Sequence, residues 1–135
     1  MTAEVIYDGG LEATLTHIKS NSSIHTDAPV DNQGKGSTFS PTDLAATSLA
    51  ACMLTVMGIW CRDNNVNIDG ARAEVTKHMA ANPRRISKID VFLYMPDQEY
   101  SDAEKSKLKH IAHTCPVAKS LHPDIEQNIV LHWVK

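Results

Sequence analysis

An uncharged run of 18 residues, from Leu44 to Cys61, restricts the possible architecture of this chain more than any other segment. Its length is close to the lower limit for a helix that crosses a bilayer. However, it contains Thr47, Thr55 and Gly58, several of its apolar positions are alanine, and no second run of this kind occurs. Because borderline runs are often core helices of globular domains, no membrane span is predicted.

The residues just before this run predict where the helix begins. Ser40 is suited to the N-cap, Pro41 to the first helical position and Asp43 to the first turn. From there the helix is expected to continue to about Arg62 or Asn64 and to be apolar on nearly all sides. A helix without a polar face is buried by neighbouring elements or by a second subunit, so this pattern is a first indication of an oligomer.

The other segments predict a single α+β domain over residues 1–135. A capping box at Ser101 and Glu104 predicts a second helix, and Thr114 is expected to cap a short third helix with Pro116 in its first turn. Alternating apolar residues predict the strands, and turn-forming residues separate them. The predicted strands are Glu4–Tyr7, Leu11–Ile18, Ser23–Thr26, Ala71–Met79, Ile86–Met95 and Ile129–Val134, with a loop over residues 27–38.

The overall composition argues against several classes of partner. The net charge is −3 and no basic stripe is present, which disfavours nucleic acids and anionic membranes. Aromatic residues make up 5% of the chain, too few for a platform that stacks single-stranded nucleic acid. An odd number of cysteines, three, and a start unlike a secretory signal indicate the reducing cytoplasm.

The cysteines suggest different roles when each is considered by itself. Cys52 lies in an apolar stretch of the long helix, where an unpaired cysteine usually packs as a small hydrophobic residue. Cys115 is predicted at the start of a helix, where free N–H groups favour a thiolate, although an ordinary structural residue fits there equally well. Cys52 and Cys61 would lie about 13.5 Å apart along one helix and on opposite faces, too far for a disulfide. Any redox pair must therefore include Cys115 or form between subunits.

His110, His113 and Cys115 form a cluster of potential metal ligands, because residues three apart share one face of a helix. The cluster matches neither CxxC nor HExxH, and seven histidines in 135 residues make chance clusters common. No metal and no other cofactor is therefore predicted.

Two cysteine motifs carry a resemblance to a known family. The segments from Ser40 to Leu44 (SPTDL) and from Leu49 to Cys52 (LAAC) resemble the first cysteine motif of the OsmC/Ohr family, the osmotically inducible and organic hydroperoxide resistance proteins. The segment from Cys115 to Leu121 (CPVAKSL) resembles the second motif of that family. The two cysteines occur in the family order, 63 residues apart, and the resemblance extends over nearly the whole chain.

This resemblance implies an OsmC-like fold, with antiparallel sheets around a long central apolar helix, and an intertwined homodimer. It also implies a thiol peroxidase that acts on organic hydroperoxides. In this family the cysteine that matches Cys52 attacks the O–O bond and becomes a sulfenic acid, which the cysteine that matches Cys115 resolves as a disulfide. A dithiol reductant, whose identity the sequence does not indicate, then restores both thiols. Cys52 and Cys115 are thus the expected catalytic residues.

The chain departs from the family pattern at the group that activates the peroxidatic cysteine. Peroxidatic members carry an arginine in the N-terminal sheet or the loop after it, whereas the first arginine of this chain is Arg62. The acid that holds that arginine matches Thr42, and Asp43, one residue further along the helix, is rotated by about 100°. Thr42 and Asp43 are still candidate supporting residues, and Arg84 or Arg85 is the candidate for a substitute charge.

The departure leaves a second hypothesis open, a non-peroxidatic OsmC-like protein that binds a small molecule or senses redox state. Such a protein would keep the dimer and its apolar pocket but would have thiols of ordinary acidity. A peroxidase would instead need a strongly acidic thiol at its reactive cysteine.

Overall fold

The structure is a computed structural model that describes every residue from Met1 to Lys135. It contains six strands and three α-helices, with a single 3₁₀ turn at Val30–Asn32. In chain order these elements are β1 (Ala3–Gly9), β2 (Glu12–His17), β3 (Ser23–Asp27), α1 (Pro41–Asp63), β4 (Arg72–Ala80), β5 (Arg85–Tyr94), α2 (Asp102–Thr114), α3 (Pro116–Ser120) and β6 (Glu126–His132).

The chain divides into two compact units, Met1–Ala45 and Ala46–Lys135. Helix α1 begins in the first unit and continues into the second. The α+β class predicted from the sequence is confirmed, whereas the prediction of one domain over residues 1–135 stays a prediction.

The first unit contains a three-stranded antiparallel sheet in the order β1-β2-β3. The predicted hairpin between β1 and β2 is confirmed, and its turn uses Gly9 and Gly10 at φ values of +90° and +64°. These left-handed conformations are ones that glycine adopts without steric cost. The predicted third strand is confirmed as β3, which extends one residue further, to Asp27.

Asp27, at the end of β3, anchors the loop that leads to α1. Its side chain is fully buried, and its Oδ2 atom accepts hydrogen bonds from the backbone N–H of Ser37 at 3.0 Å and from the Ser37 hydroxyl at 2.6 Å. Its Oδ1 atom is buried without a hydrogen-bond partner. Inside this loop Gly34 lies so close to Ala28 that a Cβ atom would meet the Ala28 carbonyl oxygen at 1.7 Å. The loop therefore requires a glycine at this position.

The second unit contains a mixed three-stranded sheet in the order β4-β5-β6. Strands β4 and β5 form an antiparallel pair whose bounds agree with the sequence prediction to within one residue. Strand β6 runs parallel to β5, so the expectation of purely antiparallel sheets is wrong for this unit. The physical reason is that α2 and α3 lie between β5 and β6, and a connection containing helices can return the chain in the same direction.

The bounds of β6 also differ from the prediction. The strand begins at Glu126 and ends at His132, whereas the sequence predicted Ile129–Val134. Its first three residues are polar, so apolar alternation does not mark them as a strand. Asn128 is nevertheless held in the sheet, because its Nδ2 atom donates a 2.9 Å hydrogen bond to Oδ1 of Asp90 on β5.

One face of α1 forms the centre of the core in the second unit. Leu49, Met53 and Met57 have no exposed surface and belong to the same buried cluster as Val91 on β5 and Leu108 on α2. The spacing of three to four residues between buried positions places them on one side of the helix. This face explains why the second unit folds around α1.

The opposite side of α1 is exposed and largely free of charge. Its exposed positions are Ser48, Ala51, Thr55 and Ile59. By length and apolar composition α1 is the one helix that could cross a membrane, but a third of its most apolar segment (33%) is buried inside the structure. The helix thus lacks a charged face, as the sequence predicted, but a single chain covers only one side of it.

Candidate active site

The start of α1 is fixed by a reciprocal cap. The backbone N–H of Asp43 donates to the Ser40 hydroxyl at 3.0 Å, and the backbone N–H of Ser40 donates to Oδ2 of Asp43 at 2.9 Å. This arrangement confirms the predicted N-cap and follows the logic of a capping box. Thr42 also takes part, because its hydroxyl is hydrogen-bonded to that of Ser40 at 3.2 Å. Both predicted supporting residues of α1 therefore help to form its N-terminus.

Cys115 occupies the junction between α2 and α3. It is the N-cap residue of α3, where its Sγ atom accepts a 3.4 Å hydrogen bond from the backbone N–H of Ala118. The expectation that Thr114 caps this helix is wrong, since the Thr114 hydroxyl instead donates to the carbonyl of His110 at 2.8 Å, inside α2. Only 1% of Cys115 is exposed, so this sulfur atom is shielded from bulk water.

A contact that sequence reasoning missed holds α3 in place. Gln127 on β6 donates from Nε2 to the carbonyl oxygen of Ala118 at 3.0 Å. Ala118 thus donates through its N–H to Cys115 and accepts through its carbonyl from Gln127. The sequence signal for Gln127 is weak, because a polar residue at an inward position of a strand interrupts the apolar alternation.

The structure brings Cys52 and Cys115 together. Cys52 lies on α1, is partly buried and packs against the core cluster that contains Cys115, and it is near enough to Cys115 to raise the pKa of that thiol. All three cysteines are unpaired in this state. The two thiols that the family motifs single out are therefore close neighbours in the same unit of the chain.

The environment of Cys115 keeps its thiol protonated. Burial raises the pKa of Cys115 above its ordinary value of 9.0, and the hydrogen bond and charge of Cys52 raise it further. The N–H groups of Ala118 and Val117 act in the opposite direction, and the effect of Ala118 is second only to that of burial. Of the two alternatives that the sequence left open for Cys115, a thiolate favoured by the helix start does not agree with this raised pKa, whose largest cause is burial.

Cys61 is separate from this pair. It is buried at the far end of α1, where burial and then the negative charge of Glu104 raise the pKa of its thiol. A thiol that is buried and protonated at neutral pH is a weak nucleophile. This position agrees with the packing role that a cysteine near a helix end usually has.

The candidate substitute for the missing arginine, Arg85, belongs to the turn between β4 and β5. Its Nη1 atom donates to the carbonyl oxygens of Ala81 at 3.1 Å and Pro83 at 2.8 Å. These two bonds show that Arg85 stabilises its own turn. A role for Arg85 as a charge that activates Cys52 stays a prediction.

The histidines near Cys115 are not arranged as metal ligands. Nδ1 of His113 is hydrogen-bonded to the carbonyl of Lys109 at 2.8 Å, within α2. No group of three or more histidine, cysteine, aspartate or glutamate side chains in the chain is placed to hold a metal ion. The arrangement that the site does provide is a pair of neighbouring thiols, one partly exposed and one buried. Such a pair can exchange between a dithiol and a disulfide.

Comparisons with known proteins identify the family and the fold of the chain. A family model described as OsmC-like protein matches residues 34–129. The structure is similar to that of a Psychrobacter arcticus protein provisionally named an osmotic stress induced and detoxification response protein. The TM-score is 0.93 and the sequence identity is 53%, and the match covers 98% of this chain and 96% of that one.

Two more distant structures share the fold. An organic hydroperoxide resistance protein from Legionella pneumophila has a TM-score of 0.75 and 15% identity, with 97% of this chain and 96% of that chain covered. The organic hydroperoxide resistance protein OhrB of Bacillus subtilis has a TM-score of 0.70 and 20% identity, with 98% of each chain covered. No curated protein matches the chain in sequence.

Proposed function

Because the chain belongs to the OsmC-like protein family, we propose that it is a cysteine-dependent peroxidase that reduces organic hydroperoxides. The observation that carries this proposal is the placement of Cys52 against the core cluster that contains the buried Cys115, near enough to raise the pKa of that thiol. The names of the similar Legionella and Bacillus proteins point to the same class of substrate. The oxidised product of such a pair is a disulfide, which a second molecule can reduce.

The reaction requires two steps at these sulfur atoms. The Cys52 thiolate attacks the terminal oxygen of the hydroperoxide, the O–O bond breaks, and the remaining alkoxide takes up a proton and leaves as an alcohol. Cys52 is then a sulfenic acid. The Cys115 sulfur attacks the Cys52 sulfur, the S–O bond breaks, and the hydroxyl group leaves as water with the Cys115 proton. A dithiol of low molecular mass or on a partner protein supplies two electrons and two protons to reopen the disulfide.

The assignment of roles rests on the difference in exposure between the two thiols. Cys52 is only partly buried, so a hydroperoxide can approach its sulfur, whereas Cys115 is 1% exposed. Burial also raises the pKa of Cys115, which disfavours it as the first nucleophile. Cys52 is therefore the residue we assign as peroxidatic, and Cys115 the residue we assign as resolving.

We also propose that the protein is a homodimer that acts in the cytoplasm. The side of α1 next to Cys52 is exposed and uncharged, and Ile59 on this side is 48% exposed. In the first unit, Val5, Ile6 and Tyr7 of β1 are each more than half exposed. Exposed apolar side chains on a helix or a strand often mark an interface with another protein. Unpaired cysteines agree with a reducing compartment.

Stopped-flow oxidation with cumene hydroperoxide tests the peroxidase proposal. The wild-type chain is expected to lose free thiols rapidly on mixing, and the Cys61→Ser variant, a matched control, is expected to behave in the same way. The Cys52→Ser variant is expected to lose this rapid phase. A Cys52→Ser variant that reacts as fast as the wild-type chain would overturn the assignment of Cys52.

A second candidate function is favoured by the residues at the start of α1. No arginine precedes Arg62, and the side chains of Thr42 and Asp43 form the helix cap. A non-peroxidatic protein that binds a small apolar molecule, or senses redox state, would need no charged group beside Cys52. This alternative predicts saturable ligand binding and slow oxidation of wild-type thiols in the same stopped-flow experiment.

A further inference from the structure

The negative charge of the chain is unevenly distributed, and one segment is positive. From Lys105 to Pro123 the chain contains four lysines and three histidines but no aspartate or glutamate. This segment covers most of α2 and all of α3. With its histidines neutral it carries a charge of +4, in a chain whose net charge is −3.

The basic side chains of this segment lie on the exposed side of the two helices. Their exposed positions include Lys107, Lys109, His110 and His113 on α2 and Lys119 on α3. We call these five residues the cationic surface. No carboxylate of the chain lies within ion-pair distance of its three lysines, although other lysines of the chain form such pairs. The positive charge of this surface is therefore not neutralised within the chain.

The cationic surface adjoins the candidate active site. Cys115 lies between α2 and α3, two residues after His113 and four residues before Lys119. The backbone N–H of Lys119 donates to the carbonyl oxygen of Cys115 at 3.1 Å, so the lysine and the cysteine belong to the same helical turn. A molecule that docks on this surface is thus held beside Cys115.

We propose that the cationic surface docks an acidic face of the dithiol protein that reopens the disulfide between Cys52 and Cys115. This inference rests on the proposed function, which requires a dithiol to restore the oxidised pair. Complementary charge raises the rate at which such a partner meets the surface in a productive orientation. The local positive charge dominates over the negative charge of the rest of the chain, because salt screens interactions beyond about 8 Å.

A protein fits this surface better than a nucleic acid or a membrane does. Asp102 and Glu104 precede the surface in the chain and Asp124 follows it, so a continuous phosphate backbone would also meet carboxylates. The exposed positions of α2 carry no apolar side chain larger than that of Ala103, so this face offers nothing to insert into a bilayer. A compact surface with three lysines instead matches a small group of carboxylates on a folded partner.

The reduction consists of two exchange reactions. A thiolate of the partner attacks the partly exposed Cys52 sulfur, the bond between Cys52 and Cys115 breaks, and the Cys115 sulfur takes up a proton. The second thiolate of the partner then attacks the partner sulfur in the mixed disulfide, and the Cys52 sulfur leaves and takes up a proton. The partner supplies both electrons and ends as a disulfide, and its two thiols supply both protons.

The test uses two synthetic peptides that each contain a pair of cysteines, flanked by glutamates in one peptide and by lysines in the other. The Cys61→Ser protein is oxidised with diamide, so no hydroperoxide is needed, and the reopening of the disulfide is followed at low and at high salt. Each rate is divided by the rate at which the same peptide reduces a small uncharged disulfide. Dithiothreitol is the uncharged reference.

The acidic peptide is expected to react about tenfold faster than the basic peptide at low salt, and the two normalised rates are expected to converge at high salt. Lys109→Glu combined with Lys119→Glu is expected to slow the acidic peptide by about tenfold without changing the rate with dithiothreitol. Lys19→Glu combined with Lys35→Glu makes the same change in net charge at exposed positions of the first unit and is the matched control. A basic peptide as fast as the acidic one, or equal rates for the two double variants, would overturn the inference.

A binding measurement provides a readout without redox chemistry. The acidic peptide is labelled, its cysteines are replaced by serines, and its binding to the reduced protein is measured by fluorescence anisotropy. Lys109→Glu combined with Lys119→Glu is expected to weaken this binding by about fivefold or more. Tighter binding of an oligonucleotide of the same charge, or lysine-dependent binding of anionic phospholipid vesicles, would assign the surface to another class of partner and overturn the inference.

The failure of the proposed function gives a different result. If cumene hydroperoxide does not oxidise the chain but the peptides behave as expected on the diamide-treated protein, the peroxidase proposal fails and the docking surface stands. If diamide forms no disulfide between Cys52 and Cys115, the redox pair itself is contradicted and the inference falls with it.

Discussion

Cys52 on α1 packs against the core cluster that contains Cys115, the residue that caps the first turn of α3, and the Cys52 thiol raises the pKa of the Cys115 thiol. Helix α1 lies in the core of the second unit, and α3 is tied to β6 through the bond between Gln127 and Ala118. The relative position of the two sulfurs is thus set by three elements rather than by a local loop. This arrangement gives a sulfenic acid at Cys52 a nearby partner, which protects it from further oxidation.

The first prediction concerns the intermediate. In the Cys115→Ser variant, Cys52 is expected to react with a hydroperoxide but to remain a sulfenic acid, because no thiol is close enough to form a disulfide. Dimedone labelling followed by peptide mass spectrometry should then find the adduct on Cys52. The Cys61→Ser control should give little adduct, since Cys115 is still present to resolve the intermediate. Equal labelling of the two variants would contradict a resolving role for Cys115.

The second prediction concerns the exposed side of α1. Replacement of Ile59 by lysine places a charge on this uncharged surface, which a dimer interface would have to desolvate. The Ile59→Lys variant is expected to raise the dimer dissociation constant by roughly tenfold or more, measured by light scattering after size-exclusion chromatography. Val134→Lys, at a 61% exposed position near the C-terminus, is the matched control and should behave as the wild-type chain. Unchanged association of Ile59→Lys would place the interface elsewhere.

The third prediction concerns the stability of the loop after β3. Hydrogen bonds from Ser37 lower the pKa of Asp27 below its ordinary value of 3.8. A carboxyl group whose pKa is lower in the folded state than in the unfolded state stabilises the fold at pH values above its unfolded-state pKa. This stabilisation is lost as the pH falls through its folded-state pKa. The Ser37→Ala variant is therefore expected to melt roughly 4 °C lower at neutral pH, with a difference that shrinks below pH 3.8.

Thermal unfolding followed by circular dichroism between neutral and acidic pH measures this effect. Ser22→Ala is a suitable control because Ser22 is exposed and uses only its backbone groups in hydrogen bonds. If Ser37→Ala lowered the melting temperature by the same amount at all pH values, the charge of Asp27 would not contribute to the stability of the loop.

The fourth prediction tests the cap of α2. The Ser101 hydroxyl accepts from the Glu104 N–H at 3.1 Å, and the Glu104 carboxylate accepts from the Ser101 N–H at 2.8 Å. Ser101→Ala is expected to lower the free energy of unfolding by about 1 kcal/mol, measured by urea denaturation. Ser106→Ala, at an exposed position inside α2, should leave it unchanged or raise it slightly, because alanine favours helices. A smaller decrease in the free energy of unfolding for Ser101→Ala than for Ser106→Ala would contradict the capping role of Ser101.

The parts of the fold that local chemistry determines could be predicted from the sequence. Ser40 and Ser101 marked the starts of two helices because a hydroxyl at the N-cap satisfies free N–H groups within three residues. Gly9 and Gly10 marked the first hairpin because they accept positive φ values. The alternation of apolar and polar residues predicts the bounds of β4 and β5 to within one residue.

The parts that depend on tertiary contacts could not be predicted in this way. The raised pKa of Cys115 could not be predicted, because a helix start that favours a thiolate is visible in the sequence but the burial that disfavours it is not. The parallel pairing of β6 depends on how α2 and α3 return the chain, and its polar start hides the strand from pattern analysis. The sequence predicts a loop at Asp27, and nothing in it indicates that this carboxylate is fully buried.

The central claim is that Cys52 and Cys115 work as one redox pair, and mass-spectrometric disulfide mapping tests it most directly. The reduced wild-type chain is treated with one equivalent of cumene hydroperoxide, the remaining thiols are alkylated, and the digested peptides are identified. We predict a disulfide between the Cys52 and Cys115 peptides of the same chain, with Cys61 alkylated. A disulfide that contains Cys61, or irreversible oxidation of Cys52 while Cys115 stays open to alkylation, would contradict the account.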